Sequence, residues 1–341
     1  MPRFALSLLG CIALLMTFVG RASAGPCEEF RKAMLDWEVK TGKKSRMTIY
    51  ARLSCEEGLP SVVSLMNSLP QELRDKSDAA PFTVSWKAHG GTFGKMAPHV
   101  DLLKSAMSLS EGSGPGLGAK GPVANFLTLQ TLTRLVKYRA EALVEMNQTE
   151  LAVRELAAAW QMGETFRQVG FQESNQLQFL LGTAFSTIAL KQVGHMVLMG
   201  RTTGKQRDDL IAFLKREPDL DADKVASALG IPPAEQWRIL VPTVYSRQLI
   251  IAGQIAKANK SVSVEAVNKL LKDAGPLGLD PFTNKPFHVE VTERKLVNLR
   301  SVGPDGKLDP GGPAVRVENG KPQAGDYFVI IGALGAGQCG W

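Results

Sequence analysis

Residue patterns that carry catalysis or bind metals are scarce in this sequence. Histidine occurs only four times in 341 residues. His89, His99, His195 and His288 stand in four different contexts, none of them H-E-x-x-H or another close ligand spacing, which excludes the usual zinc-hydrolase pattern. There are four cysteines and no C-x-x-C pair, so a structural zinc site built from them is not expected. No G-x-S-x-G elbow supplies a serine nucleophile. Glu111, Glu141, Glu145 and Glu155 form no recognisable glycosidase pair and read as helix faces. The 40 basic residues exceed the 33 acidic ones by seven, and Arg3 and Arg21 account for two of that excess within the first 24 positions. No basic run interleaved with aromatics exists, which argues against nucleic acid as a partner. After the N-terminal segment no apolar stretch of about 20 residues recurs, so no further membrane span is expected.

The N-terminus does carry a signal. In "MPRFALSLLGCIALLMTFVGRASA", Arg3 precedes an apolar run from Phe4 to Val19, and Ala22-Ser23-Ala24 offers a small-x-small cleavage site. That order predicts an export peptide over residues 1–24, with Gly25 as the first mature residue and a periplasmic or extracellular destination. Two other readings compete with it: a lipoprotein box ending at Cys11, and retention of the segment as an anchor. Apolar sequence continues for eight residues past Cys11, unlike a lipoprotein, and sixteen apolar residues are short for a span. Cleavage leaves Cys27, Cys55 and Cys339. Cys27 and Cys55 are each followed by Glu-Glu and placed near the start of an expected helix, and they make the natural disulfide pair in an oxidising compartment. The bond would close a loop of about 29 residues.

Four regions follow the export peptide. Residues 25–110 read as mixed α/β, with strands expected at "RMTIYARLS" and "PFTVSWKAHGG" between short helices. Residues 111–122, "EGSGPGLGAKGP", form a glycine-rich linker. A phosphate loop is disfavoured there because no apolar strand leads in and no Gly-Lys-Ser/Thr follows. Residues 123–274 are helical. One stripe carries Leu129, Leu132, Val136, Ala140 and Leu143, and the next helix carries Ala152, Leu156 and Ala159 with Thr149 expected as N-cap. The small-large-small spacing over 126–160 resembles one tetratricopeptide-type hairpin, without the family's early tryptophan or closing proline. Further on, "VPTVYS" is expected to interrupt a helix, and Ser263 and Gly275 to open and close one.

Residues 275–341 change character. Phe287 to Val291 and Leu296 to Arg300 read as a hairpin, "GDYFVIIG" as a returning strand, and "DPFTNKP" as a tight turn with Asn284 in the left-handed region. The segment "SVGPDGKLDPGG" sets Asp305 and Asp309 four apart. This suits either a solvated Asp-Gly turn or a loop around a hard cation. Lys307 stands where an EF-hand needs its second ligand, so that pattern is not met.

Asp280, Pro281, Phe282, Thr283, Lys285 and Pro286, followed by Ser301, Gly303, Pro304, Asp305, Gly306, Gly311 and Gly312, resemble the C-terminal region of the major pseudopilins of type II secretion. They also resemble a DPF-T-G-K-P…SVGPDG tail carried by exported bacterial proteins with helical bodies. Asn284 replaces the family glycine. The pseudopilin resemblance implies calcium, bound by Asp305 and Asp309 with the carbonyls of Leu299 and Ser301, and with Asp326 closing the far side. Because the apolar segment here precedes the expected cleavage point, the chain is not an ordinary pilin subunit.

The expected fold is mainly α: an irregular helical bundle or short α-solenoid with a small C-terminal antiparallel β module. The expected role is a non-catalytic scaffold of the bacterial cell envelope, of secretion- or pilus-associated type, that binds a protein partner. The alternative is an exported hydrolase using His89 or His99.

Overall fold

The structure is a computed structural model and describes residues 26–75, 84–109, 124–198, 204–215, 220–232, 235–258, 263–291, 297–304, 306–308, 316–318, 321–323 and 327–331. Among them are thirteen α-helices and seven short strands. The helices are α1 (Pro26–Thr41), α2 (Arg46–Ser54), α3 (Val62–Asn67), α4 (Gln71–Asp75), α5 (Trp86–Lys95), α6 (Ala97–Ser105), α7 (Phe126–Glu145), α8 (Thr149–Gln172), α9 (Gln176–Leu198), α10 (Gly204–Leu214), α11 (Ala222–Leu229), α12 (Trp237–Ala258) and α13 (Val264–Asp273). The strands are β1 (Leu279–Asp280), β2 (Lys285–Pro286), β3 (His288–Val291), β4 (Val297–Ser301), β5 (Arg316–Glu318), β6 (Lys321–Gln323) and β7 (Tyr327–Ile331). The protein is mainly α with a small antiparallel β module at its C-terminal end.

Both strands expected in the N-terminal region are helices. Ser45 caps α2 by accepting from the Met47 N–H, and burial of Met47, Thr48, Tyr50, Ala51, Leu53 and Ser54 covers more than an alternating face could. In α5 the paired glycines lie inside the helix instead of ending it. Tertiary contacts hold it there: Phe93 is fully buried, Arg139 donates to the Phe93 carbonyl, and the Glu145 carboxylate accepts from the Trp86 N–H at the positive end of the helix. Thr149 is the first helical residue of α8, which has Gln148 at its cap position. Helix α12 runs through Pro242 without the expected break. One backbone bond is lost at the proline, but Ile239 and Val244 on either side are fully buried.

Helices α7, α8 and α9 make the centre. The stripe Leu129, Leu132, Val136, Ala140 and Leu143 is buried as its spacing predicts, against Ala152, Leu156 and Ala159 of α8. Asn147 occupies the left-handed region in the α7–α8 turn. Helices α8 and α9 approach more closely still. A Cβ on Gly163 would sit 2.5 Å from the Ser186 backbone nitrogen and 2.7 Å from the Gly182 carbonyl oxygen, and one on Gly182 would meet the Gly163 oxygen at 2.6 Å. Only glycine admits backbone so near backbone. Asn175 opens α9 by accepting from the Gln178 N–H at 3.0 Å.

In the β module, β3, β4 and β7 form an antiparallel sheet with β4 in the middle. Phe287, Val297 and Leu299 belong to the same continuous core as Phe30, Leu129 and Phe166. Gln248 of α12 donates to the Leu299 carbonyl and Arg247 to the Leu279 carbonyl, docking the module on that helix.

Replacing Gly163 by alanine is expected to lower stability by about 1–3 kcal/mol, because the helices must separate. Gly91, whose Cβ would meet nothing within 4 Å, is the control. There alanine should raise stability by about 0.5–1 kcal/mol through helix propensity. Urea midpoints of the two variants test the contrast.

Candidate functional site

The turn "DPFTNKP" and the loop "SVG", separate in sequence, meet at one carboxylate. Asp280 Oδ1 accepts from the Phe282 N–H at 3.0 Å and from the Ser301 hydroxyl at 2.9 Å, and Oδ2 accepts from the Val302 N–H at 3.0 Å. The Asp280 carbonyl accepts from the Asn284 N–H at 2.8 Å, and Asn284 adopts φ 55°. Asp280 is buried, which pushes its carboxyl above the ordinary carboxylate range, while its three donors and Arg247 pull it back. The bond between Asp280 and Ser301 joins the two halves of the motif. A cleft of about 460 Å³ lies beside it, lined by Val264 and Asn268 of α13 together with Thr283, Lys285 and His288.

Of the residues expected to hold calcium, Asp305, Asp309 and Asp326 lie outside the described residues. Leu299 and Ser301 are described. The Leu299 carbonyl accepts from Gln248 at 3.1 Å, and the Ser301 side chain is committed to Asp280.

The two histidines considered for catalysis sit in α5 and α6. His89 is half-buried with its ring edge-on to Phe93 at 6.3 Å. His99 has no solvent exposure, and burial holds its pKa below the usual imidazole value. The His195 side chain lies outside the described residues. Cys27 and Cys55, chosen from sequence as a pair, are free thiols, half-buried in the first turn of α1 and at the C-terminal cap of α2. Cys55 caps the C-terminal end of α2, not the start of a helix as the sequence suggested.

The helical core also contains charges that the sequence reading assigned to solvated faces. Arg139 of α7 bonds both carboxylate oxygens of Glu155 on α8, at 2.9 and 3.1 Å, and stacks over Trp86 with its guanidinium 5.3 Å from the ring. Arg167, fully buried, bonds both oxygens of Glu164 at 2.8 Å and donates to the Ile239 carbonyl of α12 at 3.2 Å. Ser186 of α9 donates to the same Glu164 at 2.6 Å. Glu141, near the C-terminal end of α7, is buried and pushed up to about 8, chiefly by burial, with Lys137 and the Gln192 amide of α9 opposing the shift. Only the i, i+4 relation of Lys137 to Glu141 was visible in the sequence.

A concavity on the helical face lies between α8 and α10. It measures about 450 Å³, with Val153, Ala157, Leu210 and Phe213 as its apolar floor and Met107 beside them. Glu150, Arg154, Lys205 and Asp209 give it a rim with charges of both signs. Phe213 is held edge-to-face on Trp160 at 4.8 Å. The small side chain of Ala157 leaves the floor low.

Two changes test these assignments. Asp280→Asn puts an N–H₂ group against donors and is expected to lower stability by about 1–3 kcal/mol, measured by urea denaturation. Because the folded protein keeps Glu141 protonated to a pH well above the ordinary value of 4.5, its contribution is complete below pH 4.5 and is lost as the pH rises to about 8. Glu141→Gln should flatten the fall in melting temperature across that window, and an unchanged slope would assign the fall to other groups. In comparisons with known proteins, the chain matches no family model, no curated protein and no solved structure.

Proposed function

We propose that the chain is an exported, non-catalytic helical scaffold of the bacterial cell envelope, and that it binds another envelope protein through the groove between α8 and α10. The groove itself carries the reading: an apolar floor flanked by Glu150 and Arg154 of α8 and by Lys205 and Asp209 of α10. Val153 and Ala157 lie one helical turn apart on α8, as do Leu210 and Phe213 on α10 to within a residue. A surface so ruled accepts a partner segment that presents apolar residues at helical spacing, flanked by charges of both signs. Buried charges of the body are meanwhile engaged in internal bonding: Arg139 donates to Glu155, and Arg167 and Ser186 both donate to Glu164. The leader-like sequence over residues 1–24 supports export. The pseudopilin-like tail favours an association with secretion or pilus machinery, with Asp280 giving the tail its shape.

A photo-crosslinking residue at Val153, introduced into the full chain and activated in intact cells, should give one discrete adduct with an envelope protein. Ala157→Arg fills the floor and places a cation on it, so the adduct should fall at least tenfold while the melting temperature moves by no more than about 3 °C. Recovery of the chain in the cytoplasmic fraction would overturn the export half of the proposal. Absence of any adduct from Val153, with the chain in the envelope, would overturn the groove.

A further inference from the structure

We infer that Cys27 and Cys55 form a disulfide that ties the start of α1 to the end of α2 and serves as a structural staple of that hairpin. Cys27 lies in the first turn of α1 and Cys55 is the residue that caps α2 at its C-terminal end, so the antiparallel pairing of these two helices puts the cysteines at one end of the hairpin. Both thiols are free and half-buried, which leaves them open to a reagent. Charge holds the two segments together at that end. Arg31, one turn past Cys27 on α1, reaches Glu28 at 3.0 Å and Glu57, two residues past Cys55, at 3.4 Å, and Arg52 also reaches Glu57.

The chemistry needs an external oxidant, a low-molecular-weight or protein disulfide RS–SR. The thiolate of one cysteine attacks RS–SR, forming a mixed disulfide and releasing RS⁻. The thiolate of the other attacks the first cysteine's sulfur, closing the Cys27–Cys55 bond and expelling the second RS⁻. The two thiol protons end on the two RSH products. The inference rests on the placement of the sulfurs and is independent of the binding role proposed above.

The test uses the full chain, equilibrated in buffers of glutathione and glutathione disulfide, alkylated, and digested without reductant. One cross-linked peptide joining Cys27 to Cys55 is expected, with Cys339 recovered alkylated. Reduction should lower the melting temperature by about 5–10 °C. Cys27→Ala should melt with reduced wild type whatever the buffer. Recovery of both cysteines alkylated from the most oxidising buffer would overturn the bond, as would linkage of Cys55 to Cys339. A bond that forms but leaves the melting temperature unchanged would overturn its role as a staple. The peptide map is read on the unmutated chain, so a poorly folding variant does not affect it.

Discussion

The architecture depends on the backbone-to-backbone contact of α8 with α9. Gly163 and Gly182 face each other with no side chain between them, and the buried group Glu164, Arg167 and Ser186 lies beside that contact. The two features require each other. The hydroxyl of Ser186 reaches Glu164 only because the helices are close, and the carboxylate can be buried only because Arg167 and Ser186 satisfy it. Taking one member of such a buried pair away typically destabilises by about 3–5 kcal/mol, because the other charge remains desolvated. A bundle built on leucine contacts alone would tolerate sliding of one helix on the other. Here the glycines set the depth of contact and the ion pair sets its register.

From that contact the rest of the molecule is placed. Arg167 extends past Glu164 to the Ile239 carbonyl, which positions α12. Helix α12 in turn offers Arg247 and Gln248 to the carbonyls of Leu279 and Leu299 and so fixes the β module. Toward the N-terminal half of α8, Trp160 packs edge-to-face on Phe213 of α10 at the groove. Buried polar residues therefore form a chain of internal restraints running from the centre of the helical body to the β module.

The sequence disclosed the parts of this structure that follow from local rules. The apolar stripe of α7, the capping role of Ser263, the stop at Gly275, the left-handed Asn284 and the β3–β4 hairpin were all legible, because each depends on spacing or on one residue's backbone preference. Helix α2 and helix α5 were misread as strands. Their β-branched and aromatic residues favour extended chain in isolation, but Ser45 and the contacts of Phe93 decide otherwise. Pro242 misled for the same reason, since one lost backbone bond is outweighed by the burial of its helix. Gly163 and Gly170 gave no signal as contact points, and the pairing of Arg139 with Glu155 joins different helices. Long-range bonds of this kind have no fixed offset in a sequence. The role of Asp280 was half visible: its place in the turn could be read, but its hold on Ser301, twenty-one positions on, could not.

The central place of β4 bears on how the protein comes to be made. This strand lies between β3 and β7, and its Val297 and Leu299 complete a core that begins at Phe30. A nascent chain that has not yet delivered Tyr327–Ile331 therefore leaves β4 with one edge bare and its sheet half built. Early termination anywhere before that strand would yield a sticky fragment, not a smaller working protein. Synthesis from the N-terminus therefore leaves the β module waiting for its last strand before its sheet can close.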